Sequence, residues 1–313
     1  AGLMISGDGT KLYFKRQKSS MPYELFGCDA DGKNVKQVTN INTARLKDVD
    51  MNETETFWSK GADGKQVQSI LIKPPFFDKS KKYPMIFLIH GGPQGHWADD
   101  FHYRWNIQLF ASDGYVVVAP NPRGSTGYGQ KFVDEISGDW GGKVYTDLMN
   151  AYDEALKKFS FIDGKNTFAA GASYGGYMIN WIAGHTDRFN ALVSHAGVFN
   201  IESMYGTTEE LWFPEWEFKG APWQNRKMYE KWSPHRYIHN CKTPVLVVHG
   251  ANDFRVTEDQ AFQLFTSLQR LGVPSKFLYF PDETHWVAKP QNSRLWWKTV
   301  FEWYQKFTKR ENL

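Results

Sequence analysis

Two patterns of apolar and polar positions divide the chain. Up to about residue 42, apolar residues alternate with polar ones, as in Lys11-Leu12-Tyr13-Phe14-Lys15, Pro22-Tyr23-Glu24-Leu25-Phe26 and Val35-Lys36-Gln37-Val38. A period of two predicts short antiparallel strands, and Asp29-Ala30-Asp31-Gly32-Lys33 supplies a turn between the last two. From about residue 43 the pattern changes. Residues 57–59 and 68–72 flank Gly61-Ala62-Asp63-Gly64-Lys65 and predict an opening hairpin. The runs at 84–89, 115–119, 167–170 and 244–248 are continuously apolar, as strands buried on both faces are. Helices are predicted near 97–112 and 143–159 and from Gly175 to Gly184, so strand and helix alternate. Thr257 with Gln260 reads as a capping box, and Ala261, Leu264, Phe265, Leu268 and Leu271 form a helical stripe closed by Gly272 and Pro274. A last helix over 291–308 presents Leu295, Trp296, Val300, Tyr304 and Phe307, a stripe that fits core packing. The expected class is α/β, with a doubly wound, mostly parallel sheet after a short antiparallel segment.

Composition narrows this only by exclusion. With 37 basic and 34 acidic residues the net charge is +3 and no polybasic block stands out, so nucleic-acid binding has no electrostatic support. No run approaches the roughly 18 to 20 apolar residues of a spanning helix, and no membrane role is expected. Cys28 and Cys241 are the two cysteines, which provides no disulfide framework and no metal-ligand spacing.

The chemistry concentrates at strand ends. Gly-Ala-Ser-Tyr-Gly at 171–175 follows a strand and opens a helix, the setting of a nucleophile elbow in which Ser173 is lifted above the sheet. The Tyr174 amide, at the helix N-terminus, is then aimed at a developing oxyanion. Asp253 follows the strand at 244–250, and His285 follows the strand at 276–280, in the order nucleophile, acid, base. All three fall on the C-terminal edge of the expected sheet. The strand at 84–89 ends in His90-Gly91-Gly92-Pro93, a turn whose Gly92 amide is the second candidate oxyanion donor, with His90 read as structural. Residues 199–237 break the alternation with a crowd of aromatics. Such an insertion commonly covers the site, and Trp212, Phe213 and Trp216 are expected as pocket walls. Glu209 and Glu210 fit either a substrate amine or a solvated helix start.

Together these segments resemble the catalytic domain of the prolyl oligopeptidase family, over about residues 45 to 313. The stretches that carry the resemblance are HGGP at 90–93, NPRGSTGYGQ at 121–130, GDWGG at 138–142, GASYGGYM at 171–178, HGANDFRV at 249–256 and ETHW around His285. They are most similar to the subfamily of acylaminoacyl peptidases and dipeptidyl-peptidase V, and TTEELWFPEW at 207–216 tilts toward the latter. The resemblance implies an α/β-hydrolase domain over 43–313 and cleavage of short peptides with release of N-terminal dipeptides or blocked residues. Metal and organic cofactors are not needed. It further implies that Arg255 holds a substrate backbone carbonyl and that Val256 belongs to the pocket before the scissile bond. Phe254 departs from the pattern, since many relatives carry a second acidic residue there.

The same resemblance implies a β-propeller over the site. One blade cannot bury its faces alone, so residues 1–42 are expected to be the last part of a propeller otherwise missing from this chain. A strand cap native to a compact hydrolase is the other reading. Exported relatives tilt the expected compartment to periplasm or secretion. A homo-oligomer is compatible with the sequence. A carboxylesterase acting on aromatic acid esters would use the same triad, and a non-catalytic scaffold would keep the fold without turnover.

Overall fold

The computed structural model describes residues 2–309. It contains two sheets. The first joins β1 (Met4–Ile5), β2 (Lys11–Lys18), β3 (Met21–Asp29) and β4 (Lys36–Gln37) in sequential antiparallel order. A short helix, α1 (Thr43–Leu46), leads away from it. The carboxylate of Glu24, inside this sheet, accepts bonds from Thr39 Oγ1, the Ile41 amide and the Asn42 amide, which fixes the way out.

The second sheet has eight strands: β5 (Glu55–Lys60), β6 (Gln66–Ile72), β7 (Tyr83–Ile89), β8 (Val116–Asn121), β9 (Ile162–Ala172), β10 (Ala191–His195), β11 (Val245–Gly250) and β12 (Ser275–Phe280). Their order is β12-β11-β10-β9-β7-β8-β6-β5, antiparallel only where β6 meets β5 and β8. The helices are α2 (Ile107–Ala111), α3 (Gln130–Asp134), α4 (Lys143–Lys158), α5 (Tyr174–His185), α6 (Ile201–Thr207), α7 (Trp212–Phe218), α8 (Arg226–Trp232), α9 (Asp259–Arg270) and α10 (Pro290–Phe307). The continuous apolar runs serve two cores. In β7, Met85, Phe87 and Ile89 face the layer that holds α4, α5 and α9, while Ile86 and Leu88 face the layer of α2 and α10.

Three local expectations are corrected. The helix near 97–112 shrinks to α2, because the Asn106 side chain accepts from the Gln108 and Leu109 amides and starts the helix there. The preceding loop is pinned instead by Asn121, whose side chain bonds both the Trp97 amide and its carbonyl. Thr257 and Gln260 make no capping box: the fully buried Gln260 uses its oxygen on the Phe199 and Asn200 amides and so anchors the 199–237 insertion. The helix stripes also shift, since Leu271 and Leu295 are exposed and Trp303 is buried in α10.

Candidate active site

Ser173 occupies the one-residue turn between β9 and α5 with φ 61° and ψ −121°, a conformation that L-residues avoid. Crowding explains the flanking glycines. A methyl on Gly171 would run into the Gly175 carbonyl, and one on Gly175 into the Ile89 carbonyl. The turn is held by the Ser173 amide donating to the His195 carbonyl at 3.0 Å.

Asp253 and His285 are brought together by two loops that bond each other. The Asn252 amide donates to the Glu283 carbonyl and the Ala251 amide to the Phe280 carbonyl, both at 2.9 Å. His285 Nδ1 then lies 2.6 Å from Asp253 Oδ2. The other oxygen, Oδ1, accepts from the Arg255 and Val256 amides at 3.0 Å each, so both oxygens of a carboxylate with no solvent contact are engaged. The Glu283 carboxylate shapes the base loop from below by accepting from the Ala288 and Lys289 amides. His249 is buried behind Asp253. Its Nε2 lies 2.7 Å from the Val256 carbonyl, and burial lowers its pKa.

Ser173 and His285 line one open cavity of about 580 Å³. Gly91, Gly92 and Tyr174 line it too, and a methyl on Gly91 would come within 3.3 Å of Ser173 Cβ, so the 90–93 turn abuts the serine. The Gly92 and Tyr174 amides have no protein acceptor among the described residues. His90 has a structural setting: it is buried, with Nε2 2.9 Å from Ser125 Oγ and Nδ1 2.8 Å from the Gly91 carbonyl. The 121–130 stretch is structural as well, since Arg123 is buried against Asp147 at 2.7 Å.

Phe213, Val256, Trp140, Val198 and Met204 belong to the apolar part of the wall, with Trp212 at the rim, 67% exposed. Trp216 does not join them. The helix carries it one turn away from the cleft, where it is 64% exposed with the Lys219 ammonium 5.4 Å from its ring. Arg255 lines the cavity and pairs with Glu210 at 3.1 Å, while Glu209 is exposed and Phe254 points outward. The insertion docks on the acid loop here, through Thr208 Oγ1 to the Arg255 carbonyl and the Glu209 amide to the Phe254 carbonyl, each 2.8 Å.

Sequence reasoning missed two features. Glu217 is fully buried, accepts from Gln94 Nε2 and Trp140 Nε1 at 2.7 Å each, and is pushed up in pKa by burial. It ties the insertion to the 90–95 loop, and no spacing in the aromatic-rich insertion signals it. The other is the wall of residues 94–105, where the Arg104 guanidinium stacks on Trp286; the ETHW stretch named that indole but not its partner.

A doubly wound sheet that carries a serine on so tight a turn, with an aspartate and a histidine joined beyond later strands, is an α/β-hydrolase. Residues 101–311 match the prolyl oligopeptidase family, and the chain belongs to that family. It is 48% identical over 257 residues to a dipeptidyl-peptidase 5 of Schizosaccharomyces pombe, covering 82% of this chain and 38% of the relative. It is 42% identical over 301 residues to the dipeptidyl-peptidase 5 of Porphyromonas gingivalis, covering 95% and 44%. The fold superimposes on Pyrococcus horikoshii acylaminoacyl peptidase with a TM-score of 0.89 at 28% identity, over 99% of this chain and 50% of that one. The chain thus spans half or less of the length of these relatives.

Proposed function

We propose that this chain is the catalytic part of a serine peptidase that hydrolyses short peptides, releasing N-terminal dipeptides or blocked residues. The observation that carries this is the buried 2.6 Å contact between His285 and Asp253, at a cavity shared with the strained Ser173. In this reading His285 takes the Ser173 proton while Asp253 orients the imidazole. The serine oxygen attacks the scissile carbonyl, and the Tyr174 and Gly92 amides bind the oxyanion. His285 returns the proton to the leaving amine, and water then hydrolyses the acyl-enzyme by the same route.

The substrate class draws its support from the relatives' names and from the apolar wall, which suits a side chain before the scissile bond. Arg255 and Val256 are assigned to substrate contact, with Phe213 and Trp212 as walls. The four-stranded antiparallel sheet has the make-up of a single propeller blade, which supports reading residues 1–42 as the end of a propeller and 43–313 as the hydrolase. The test is labelling by a fluorophosphonate together with turnover of a dipeptidyl aryl amide. Both should vanish in Ser173→Ala, with a loss on the order of 10³ to 10⁶ in kcat. Turnover within tenfold of the parent would refute the assignment.

A further inference from the structure

The guanidinium of Arg104 lies 3.6 Å from the centroid of the Trp286 ring. That indole is next in sequence to His285 and stands 4.8 Å from its imidazole, so one aromatic plate connects cation and base. Stacking holds a planar guanidinium by its face and leaves the N–H edges free. Arg104 lines the cavity, is half-buried, and its guanidinium has no carboxylate or hydrogen-bond acceptor among the described residues. Asp100 and His102 on the same loop act on one another, and the other cavity arginine, Arg255, is paired with Glu210. A positioned and unspent guanidinium in a cleft is a receptor for a planar anion.

Its place decides which anion. The base that gives its proton to the leaving amine must lie against the leaving chain, so the side of the cleft next to His285 and Trp286 receives that chain. One residue spans at most about 3.6 Å of extended backbone, so a carboxylate one residue beyond the scissile bond stays beside this wall. Resting on the peptidase reading above, we propose that Arg104 binds the α-carboxylate of the leaving chain, which makes peptides with a single residue after the scissile bond preferred substrates. Trp286 is the positioning residue that presents the guanidinium.

The experiment compares kcat/KM for a tripeptide, the same tripeptide as its C-terminal amide, and a dipeptidyl aryl amide. The readout is the ratio of acid to amide, in which a general loss of activity cancels. The wild-type ratio should be about 10 to 150, the range that a charge-assisted hydrogen bond implies. Arg104→Gln should bring it close to one, and Arg104→Lys should keep an intermediate value. A wild-type ratio near one overturns the proposal without any variant, as does a ratio that Arg104→Gln leaves unchanged. If no Ser173-dependent cleavage of any of the three substrates occurs, the peptidase reading fails and the proposal with it. Cleavage with a ratio of one overturns the proposal alone.

Discussion

Asp253→Asn isolates the catalytic part of the acid from its structural part. Asp253 Oδ1 accepts two backbone amides at 3.0 Å, and only an oxygen can do that. The asparagine must therefore put its oxygen there and turn its NH2 toward His285 Nδ1, where Oδ2 now lies at 2.6 Å. Facing a donor, the imidazole presents Nδ1 as an acceptor and carries its proton on Nε2, the atom that has to take the serine proton. In serine-protease triads a wrong tautomer of this kind costs on the order of 10⁴ in kcat, roughly 5.5 kcal/mol of barrier. Volume and both backbone bonds are kept, so stability should change little. Asp253→Ala is the contrast: it leaves two buried amides unpaired, about 1 to 3 kcal/mol each, and should unfold at visibly lower urea. Saturating turnover of a dipeptidyl aryl amide and urea unfolding of both variants check this. Asparagine activity within tenfold of the parent, or an asparagine protein as unstable as the alanine one, would refute the reasoning.

Ser173→Gly should abolish turnover and yet raise unfolding free energy by about 1 kcal/mol, because φ 61° with ψ −121° costs a serine conformational energy that glycine avoids; equal or lower stability in urea would contradict the strain. His195 is buried with neither ring nitrogen hydrogen-bonded, and burial, then the charges of His285, His249 and Arg104, hold its pKa well below 6.5. The unfolded chain therefore binds the extra proton first, so the stability this residue contributes is complete above about pH 6.5 and is lost as pH falls, at about 1.4 kcal/mol per unit. His195→Leu should flatten that slope in urea unfolding from pH 5 to 7, and an unchanged slope would refute it. Arg255→Ala should lower kcat/KM for dipeptidyl substrates by about 10- to 150-fold and leave small aryl esters within a few-fold. Equal losses on both, with Glu210→Gln giving the same pattern, would show that the 3.1 Å pair with Glu210 only braces the acid loop and would favour an esterase.

The alternating and continuous apolar runs determined most of the strands, though not β1 or the central β10, since the period of side-chain direction along a strand is local geometry. The turn at 171–175 and the order of Ser173, Asp253 and His285 were also readable, because a strained turn demands glycine and strand ends place side chains on one edge. Other features came from residues distant in sequence that compete for the same local groups. Gln260 left its own helix start to hold the Phe199 and Asn200 amides. Asn106 and Asn121 converted an expected helix into the loop that carries Arg104 to Trp286. Trp216 has the same aromatic character as Trp212 and Phe213, and only the direction and length of a seven-residue helix separated it from the cleft. Glu217 was invisible for a related reason: a buried carboxylate is stable only when donors such as Gln94 and Trp140 converge on it, and that convergence exists only in the folded chain.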